Sequence, residues 1–487
     1  MARLDDELAR LRDVVDGGRL ADGSGLVGVE LEFHLIDDLG RPAFRNDEVL
    51  AAVTDGPFDL QTELGRFNVE LNLPPIALTD EPLATIRRDI DCAQALLSDV
   101  VPDTAAISIG TLPTLAHDDV GAGVISARGR YHELDANIMA ARDGAIELDI
   151  DGTDACGDRL QVTVHSVLLE AAATSLQIHL DLPADGFVPA WNIAQAIAAL
   201  QVAVSANSPL LLGRALWHET RIPLFEQLID IRTATERDPT VGTPLPPRVW
   251  FGDRWIDHPT DLFVENLARF RRPLVDGDAA EDEDPLALSA LRLHNGTVWR
   301  WNRPVYALHA GRPTLRIENR VLSASPSSVD ATADLALFVG LIAGLRDDVE
   351  RLTGALPFAD AAANFRDAAR HGLGARMRWP GVGGETRACD LLADGLIEIA
   401  SAGLDALGVA GSASGPALDV IAGRVSEGRN GATWQLATLA AEEERHDRAT
   451  ALHRMLLHYR DLQAEGEPVH RWPFPRTAEV ATSSATA

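Results

Sequence analysis

Four stretches of the chain alternate apolar and polar residues with a period of two, the spacing that puts one set on each face of a β-strand. In residues 27–35, Val27, Val29, Leu31, Phe33 and Leu35 share one side and Gly28, Glu30, Glu32 and His34 the other. Residues 67–73 set Phe67, Val69, Leu71 and Leu73 against Asn68, Glu70 and Asn72, with Glu63 just upstream. Residues 176–182 set four apolar residues against Gln177, His179 and Asp181, with Ser175 ahead of them. In residues 314–321, Leu315, Ile317 and Val321 oppose Thr314, Arg316, Glu318 and Arg320. Taken singly, each reads as an ordinary antiparallel strand with one wetted face.

Helical spacing appears in residues 82–100, with Asp80 as the expected cap, and in residues 191–206, where Ile193, Ile197, Leu200 and Val204 recur. Both are predicted to be amphipathic covers. Strand-like runs alternate with helices from about residue 26 to residue 345, and helical patterns dominate from about residue 353 onward. This predicts an α+β catalytic domain over residues 1–350, a mostly helical region over 351–474 and a disordered Ala, Thr and Ser rich tail over 475–487. The acidic stretch 276–284 reads as a solvated loop.

Composition narrows the chemistry. A net charge of -30 argues against nucleic acid and anionic membranes as partners, leaving small molecules. Oligomeric state is not legible. The first residues carry neither an apolar core nor a basic presequence, and the longest apolar run, 335–345, is too short to span a bilayer, so a cytoplasmic protein is expected. Cys92, Cys156 and Cys389 are odd in number and far apart, which reads as buried thiols rather than a disulfide framework. There is no lysine, so all 43 Lys+Arg residues are arginine. Schiff-base chemistry, lysine-anchored pyridoxal phosphate and a phosphate loop ending in Gly-Lys-Ser/Thr are thereby excluded.

The polar faces carry Glu30, Glu32, Glu70, Glu318 and His179, with Glu63 at a strand entrance. If these faces belong to one sheet, the carboxylates repel one another unless divalent cations lie between them. Oxygen donors with a single histidine favour Mg²⁺ or Mn²⁺ over zinc. Arg316 and Arg320, interleaved with Glu318, suit phosphate or carboxylate oxygens. In residues 297–306, Arg300 and Arg303 lie among Trp299, Trp301 and Tyr306, either gripping such oxygens or snorkelling from an aromatic core.

These segments resemble the glutamate-cysteine ligase family with its carboxylate-amine ligase relatives, in the glutamine synthetase superfamily. The resemblance rests on Val27-Gly-Val-Glu-Leu-Glu-Phe33, Glu63 with Phe67-Asn-Val-Glu-Leu-Asn72, Ser175-Leu-Gln-Ile-His179, Ala206-Asn-Ser-Pro209, Thr297-Val-Trp-Arg-Trp-Asn-Arg-Pro304 and Arg316-Ile-Glu-Asn-Arg320. It implies a curved antiparallel β-sheet funnel covered by helices, holding ATP and Mg²⁺ against its acidic face. It further implies that Glu30, Glu32, Glu63, Glu70, His179 and Glu318 are metal ligands, that Arg320 contacts phosphate, and that Arg300, Arg316 and Gln177 lie in the catalytic or nucleotide-binding set. The reaction implied joins the γ-carboxylate of glutamate to the amine of cysteine through an acyl phosphate.

Two departures stand out: Gln177-Ile-His179 replaces a His-x-His of many relatives, and Ser323-Ala-Ser-Pro326 stands where many place an aspartate. A phosphotransferase acting on a guanidino or amino group, a metal-dependent hydrolase and a non-catalytic relative are the alternatives. Arg424, Arg429 and Gly431-Ala-Thr-Trp-Gln435 either close over the amine substrate or form a helix-capping loop.

Overall fold

The computed structural model describes residues 2–474 except 22, 24, 55, 80, 143, 154–156, 239, 241–244 and 271–283. Asp80, Cys156, the acidic loop up to residue 283 and the tail from residue 475 lie outside the described residues. The four alternating stretches do join one seven-stranded sheet. In chain order its strands are β1 (Leu26–Ile36), β2 (Asp59–Thr62), β3 (Asn68–Ala77), β4 (Ala105–Ile107), β5 (Ser175–Asp181), β6 (Asn302–His309) and β7 (Arg312–Ser323). They lie in the order β6-β7-β5-β1-β3-β2, with β4 on the end of β1, and every pairing is antiparallel.

The alternation predicted from sequence sets the two faces. Val27, Val29, Leu31, Phe33 and Leu35 of β1 are all buried, as are Val69, Leu71, Leu176, Ile178, Leu315 and Ile317 of its neighbours. Register shifts break the ladder between Val27 and Val29 on β1 and between Asn319 and Leu322 on β7. Such bulges bend and twist a strand locally, and the sheet curls accordingly.

Of the helices, α1 (Pro82–Asp99) is amphipathic as expected, although its flanking Glu81 makes no side-chain cap. The second, α2 (Ala184–Ser205), is not an amphipathic cover: every residue from Ala190 to Ser205 is buried. Helices α3 (Ser328–Gly344) and α4 (Phe358–His371) pack on it in addition to β7, so no face is left for water. By length and composition α2 could cross a bilayer, yet 89% of its apolar window is buried inside the protein. Its amides are matched to the sheet: Gln195 accepts from Asn302 (2.8 Å), Gln201 and Asn319 exchange bonds (3.2 Å), and Asn319 donates to Asn302 (2.7 Å). Asn302 and Asn319, both part of the family-like motifs, therefore tie the sheet to α2.

Beyond α4 come α5 (Ile397–Ala406), α6 (Gly411–Glu427), α7 (Gly431–Glu443) and α8 (Arg448–Ala464), with one short hairpin pairing Arg376–Arg378 to Glu385–Arg387. Helices α3 and α5 cross at backbone contact, since a Cβ on Gly403 would lie 2.0 Å from the Gly340 carbonyl oxygen. Arg424 of α6 is buried between Asp330 and Asp334 of α3, at 2.8 and 2.6 Å. Arg429 donates to the carbonyls of His470 and Trp472, and Asn430 caps α7 by accepting from Thr433 N. The capping alternative for this segment is thus the one the structure shows. Of the cysteines, Cys389 is buried, whereas Cys92 is exposed, contrary to expectation: it falls on the outer side of amphipathic α1.

Removing one partner of a buried ion pair leaves the other charge uncompensated, at a cost of about 3 to 5 kcal/mol. Arg424→Met is therefore expected to lower unfolding free energy by about that amount, measured by denaturant titration. Adding Asp330→Asn and Asp334→Asn to the same chain is expected to recover part of the loss.

Candidate active site

Directly opposed residues of antiparallel strands project to the same face, so the registers give the layout of the polar side. Glu318 opposes Arg303 on one flank and His179 on the other, and His179 opposes Gly28. Glu30 opposes Gln177 and Asn72; Glu32 opposes Glu70, which opposes Gln61. The polar face is thus one surface running from β6 to β2. The bulge in β7 matters here. It returns Leu322 to the core opposite Leu176, brings Ser323 opposite Ser175, and leaves Arg320 free to bond Gln177, Nη1 to Oε1 at 2.5 Å.

Two groupings emerge. In the first, His179 Nε2 lies 2.8 Å from Glu30 Oε1, while its Nδ1 accepts from Arg316 Nε at 3.1 Å. A neutral ring accepting at Nδ1 carries its proton on Nε2, so giving Nε2 to a metal requires the other tautomer and release of Arg316. Beside it, Glu318 is clasped by Arg303 through both oxygens (2.8 and 3.0 Å) and by Arg320. Burial would push Glu318 up, but the Arg303 and Arg320 guanidinium groups outweigh it and hold the carboxyl well below its usual range.

In the second grouping, Glu32 accepts from Ser175 N (2.7 Å), Ser175 Oγ (2.9 Å) and Gln177 Nε2 (3.2 Å). Glu70 accepts from Asn72 (2.8 Å), and Glu63 accepts from Leu64 N (3.1 Å). Burial and the Glu70 and Glu170 charges push Glu32 up to about 8. Glu63 is raised well above the carboxylate range by burial and Glu70, and Glu70 is raised by burial and Glu30. Two like charges about 5 Å apart repel by roughly 3 kcal/mol at an effective dielectric of 20. Arg320 alone cannot neutralise such a group, so the donor set suits divalent cations. Among the described residues, no three of these side chains surround a common point as a bound ion would draw them.

A cavity of about 680 Å³ adjoins the first grouping, bounded by Gly28, Glu30, His179, Arg312 and Arg316.

Arg300 must be reassigned. The chain kinks after it: residues 299–300 pair in parallel with residues 249–250, outside the main sheet, and only Asn302 onward joins β6. Its guanidinium is buried against Glu265 (2.5 Å), Asn266 (3.0 Å) and the Trp250 ring. Its charge is met there by Glu265, and Arg303, three residues further on and inside the sheet, is the arginine that reaches Glu318. The Ser323 departure also finds its physical answer. Ser323 Oγ donates to Glu219 Oε1 at 2.8 Å, so a carboxylate stands at this place from another segment, buried to 1% exposure and also bonded by Asn207 N and Ser208 Oγ.

Three further residues escaped sequence reasoning. Glu219 and Arg221 gave no signal, lying in no alternating run. Arg221 donates to the carbonyls of Arg320 and Val321 and stacks over Trp301, bracing the bulge. Glu170 is the third. Burial pushes it up to about 7, opposed by Arg320 and Arg221. A lone carboxylate in the apolar run of residues 167–172 was its visible trace.

Residues 26–452 match the model of glutamate-cysteine ligase family 2. The chain belongs to this family. The glutamate–cysteine ligase EgtA of Mycolicibacterium smegmatis is 28% identical over 229 residues, which is 45% of this chain and 47% of that protein, so the match spans about half of the curated relative. A crystal structure of a glutamate–cysteine ligase from Francisella tularensis in complex with AMP superposes with a TM-score of 0.56 at 12% identity, covering 92% of this chain and 90% of the other. That likeness speaks to the fold: the curled antiparallel sheet with its helices is the fold of the glutamate-cysteine ligases.

A carboxyl group with a folded value above its ordinary one stabilises the fold below the ordinary value, and that contribution is lost as pH rises through the folded value. For Glu32 the window runs from 4.5 to about 8. Without divalent cations, the thermal midpoint is expected to fall across this window, and Glu32→Gln to flatten the fall, as read by scanning calorimetry.

Proposed function

We propose that the protein is an ATP- and Mg²⁺-dependent ligase joining the γ-carboxylate of glutamate to the amine of cysteine through an acyl phosphate. The observation that carries this reading is the single polar face that bears Glu30, Glu32, Glu70, His179 and Glu318 beside Arg320, with Glu63 at the entrance of β3, in a member of the glutamate-cysteine ligase family. Both named relatives are glutamate–cysteine ligases, which supports the choice of substrates.

Glu30, His179 and Glu318 on one side, and Glu32, Glu63 and Glu70 on the other, would hold the cations. When bound, divalent metal supplies charge neutralisation for phosphate oxygens. The protein's own part is positioning. Glu318 fixes the guanidinium groups of Arg303 and Arg320, and Gln177 bonds both Arg320 and Glu32, so that one amide couples the cationic and anionic halves of the site. Burial works against the charge on Arg320, but Glu318 keeps it firmly protonated, leaving a fixed cation for a transferring phosphoryl group. The adjoining cavity is of the size that takes a nucleotide-sized ligand. No side chain is required as a nucleophile, in keeping with a transfer driven by orientation and charge.

The test is a screen of ATP and Mg²⁺ with glutamate and a panel of amino acids, reading ADP, phosphate and product mass together. ADP and phosphate in equal amounts with a dipeptide product are expected. ADP without phosphate points instead to a phosphotransferase, and turnover without nucleotide to a hydrolase. Glu30→Gln and Glu70→Gln are each expected to reduce metal-dependent ADP formation by roughly a hundredfold or more with unchanged circular dichroism; undiminished activity in both would remove the metal-site assignment.

A further inference from the structure

Arg303, Glu318, His179 and Gly28 stand in one cross-strand row on the polar face, on β6, β7, β5 and β1 in turn. Three of them raise a charged or imidazole group from the sheet; at Gly28 nothing rises. Beyond Gly28 the ladder is bulged, since Val27 pairs with Ile76 and Val29 with Leu73, so that Pro74 and Pro75 of β3 together face the one glycine. Gly28 is not among the residues with a left-handed φ. An added Cβ would lie 3.4 Å from His179 Cβ and 3.9 Å from Pro75 Cγ, which are ordinary contact distances. Other glycines near the site are demanded by packing: a Cβ on Gly65 would come within 2.5 Å of Asn68 Oδ1, and one on Gly110 within 2.7 Å of Ser323 Cβ.

Neither backbone conformation nor packing accounts for Gly28, and glycine inside a strand weakens it. Glycine is also the residue that lets a ligand approach the main chain closely, and Gly28 lies on the floor of the cavity of about 680 Å³. His179 on β5 and Pro75 on β3 flank it from opposite sides and wall a slot that is one atomic layer thick at its floor. The walls are stiff. His179 is held at both ring nitrogens, by Glu30 and by Arg316, and Pro75 by its own ring. Glu30 is two residues along the same face, about 7 Å away at the strand rise, and in the other direction the cavity runs on over Leu26 and Ala307. A ligand whose metal-bound end lies at Glu30 and His179 therefore lays a thin, uncharged portion in the slot and against these apolar residues.

We propose that Gly28 is a nucleotide-specificity position: the slot above it takes the nucleoside part of ATP, with the phosphates toward Glu30 and His179. This rests on the ligase reading above and adds to it a steric determinant outside the charged set.

The test compares Gly28→Ala and Gly28→Val with the wild-type enzyme by steady-state KM for ATP and both amino acids, and by the thermal shift that ATP or inorganic tripolyphosphate gives with Mg²⁺. Tripolyphosphate has the phosphates without the nucleoside. A valine competing for an occupied slot is expected to raise KM for ATP by about tenfold or more, with a smaller rise for alanine, and to shrink the ATP shift. The tripolyphosphate shift and the KM for both amino acids stay as they were. The unliganded midpoint is expected to be unchanged or higher, since valine suits a strand. Unchanged KM for ATP in the valine variant overturns the proposal, as does an equal loss for ATP and tripolyphosphate, which puts the damage at the phosphate end. If the valine variant has a lowered unliganded midpoint, alanine decides. A lowered midpoint there too means that the fold needs the glycine and overturns the proposal, as does a full ATP shift; a wild-type midpoint with a weakened ATP shift upholds it. A wild-type enzyme that shows no shift with ATP and forms no ADP overturns the ligase reading, and this proposal with it. One that does both, with variants that match it, overturns this proposal alone.

Discussion

Repulsion among carboxylates held out of water on one face of a curled sheet is the constraint around which the molecule is arranged. Glu32 and Glu70 are placed by the β1–β3 register and cannot move apart without breaking β1 from β3, and Glu63 stands immediately after β2. With so many like charges fixed at cross-strand distance, they must hold protons, meet arginine or receive a cation. The structure uses arginine around Glu318, while burial and mutual repulsion raise Glu32, Glu63 and Glu70 toward the protonated form. Its acid–base character follows from this, since a carboxylate kept protonated near neutrality is the state that a divalent cation would replace.

A sheet under such internal pressure needs firm backing. The apolar face is pressed on α2, whose amides reach through to Asn302 and Asn319, and α2 is itself enclosed by α3 and α4. The C-terminal helices close the outer layer through the buried Arg424 pair and through Asn207, which bonds the Ala324 carbonyl and Tyr459 and accepts from Gln435. The segment after Ser205, which leads from α2, and the segment after Ser323, which leads from site strand β7, are thereby locked together.

Much of this was legible from spacing. Period-two alternation identified the four principal site strands, and their shared acidic face pointed to a common sheet before any pairing was known. What remained hidden has physical reasons. Arg300 and Arg303 look alike in a run of tryptophans, because no pattern in that run reveals that the chain leaves one sheet for another after Arg300. The encirclement of α2 depends on helices more than a hundred residues away, so its spacing looked amphipathic when its surroundings were not. Glu219 and Arg221 reach β7 only through the tertiary fold. Ser323 looked like a missing charge because sequence shows what a position lacks but not what another segment delivers to it.

The bulge in β7 divides that strand into two segments that obey different phases. Residues up to Asn319 keep step with the guanidinium and imidazole flank, while Leu322 and Ser323 keep step with the start of β5 and the core beyond it. Each half has its own internal pattern, and the two residues between them absorb the mismatch. The strand works as a coupling with play in it: changes that re-space the charged half need not be transmitted to the anchoring half. A lineage could therefore vary the one while the fold, held by the other, stayed in register.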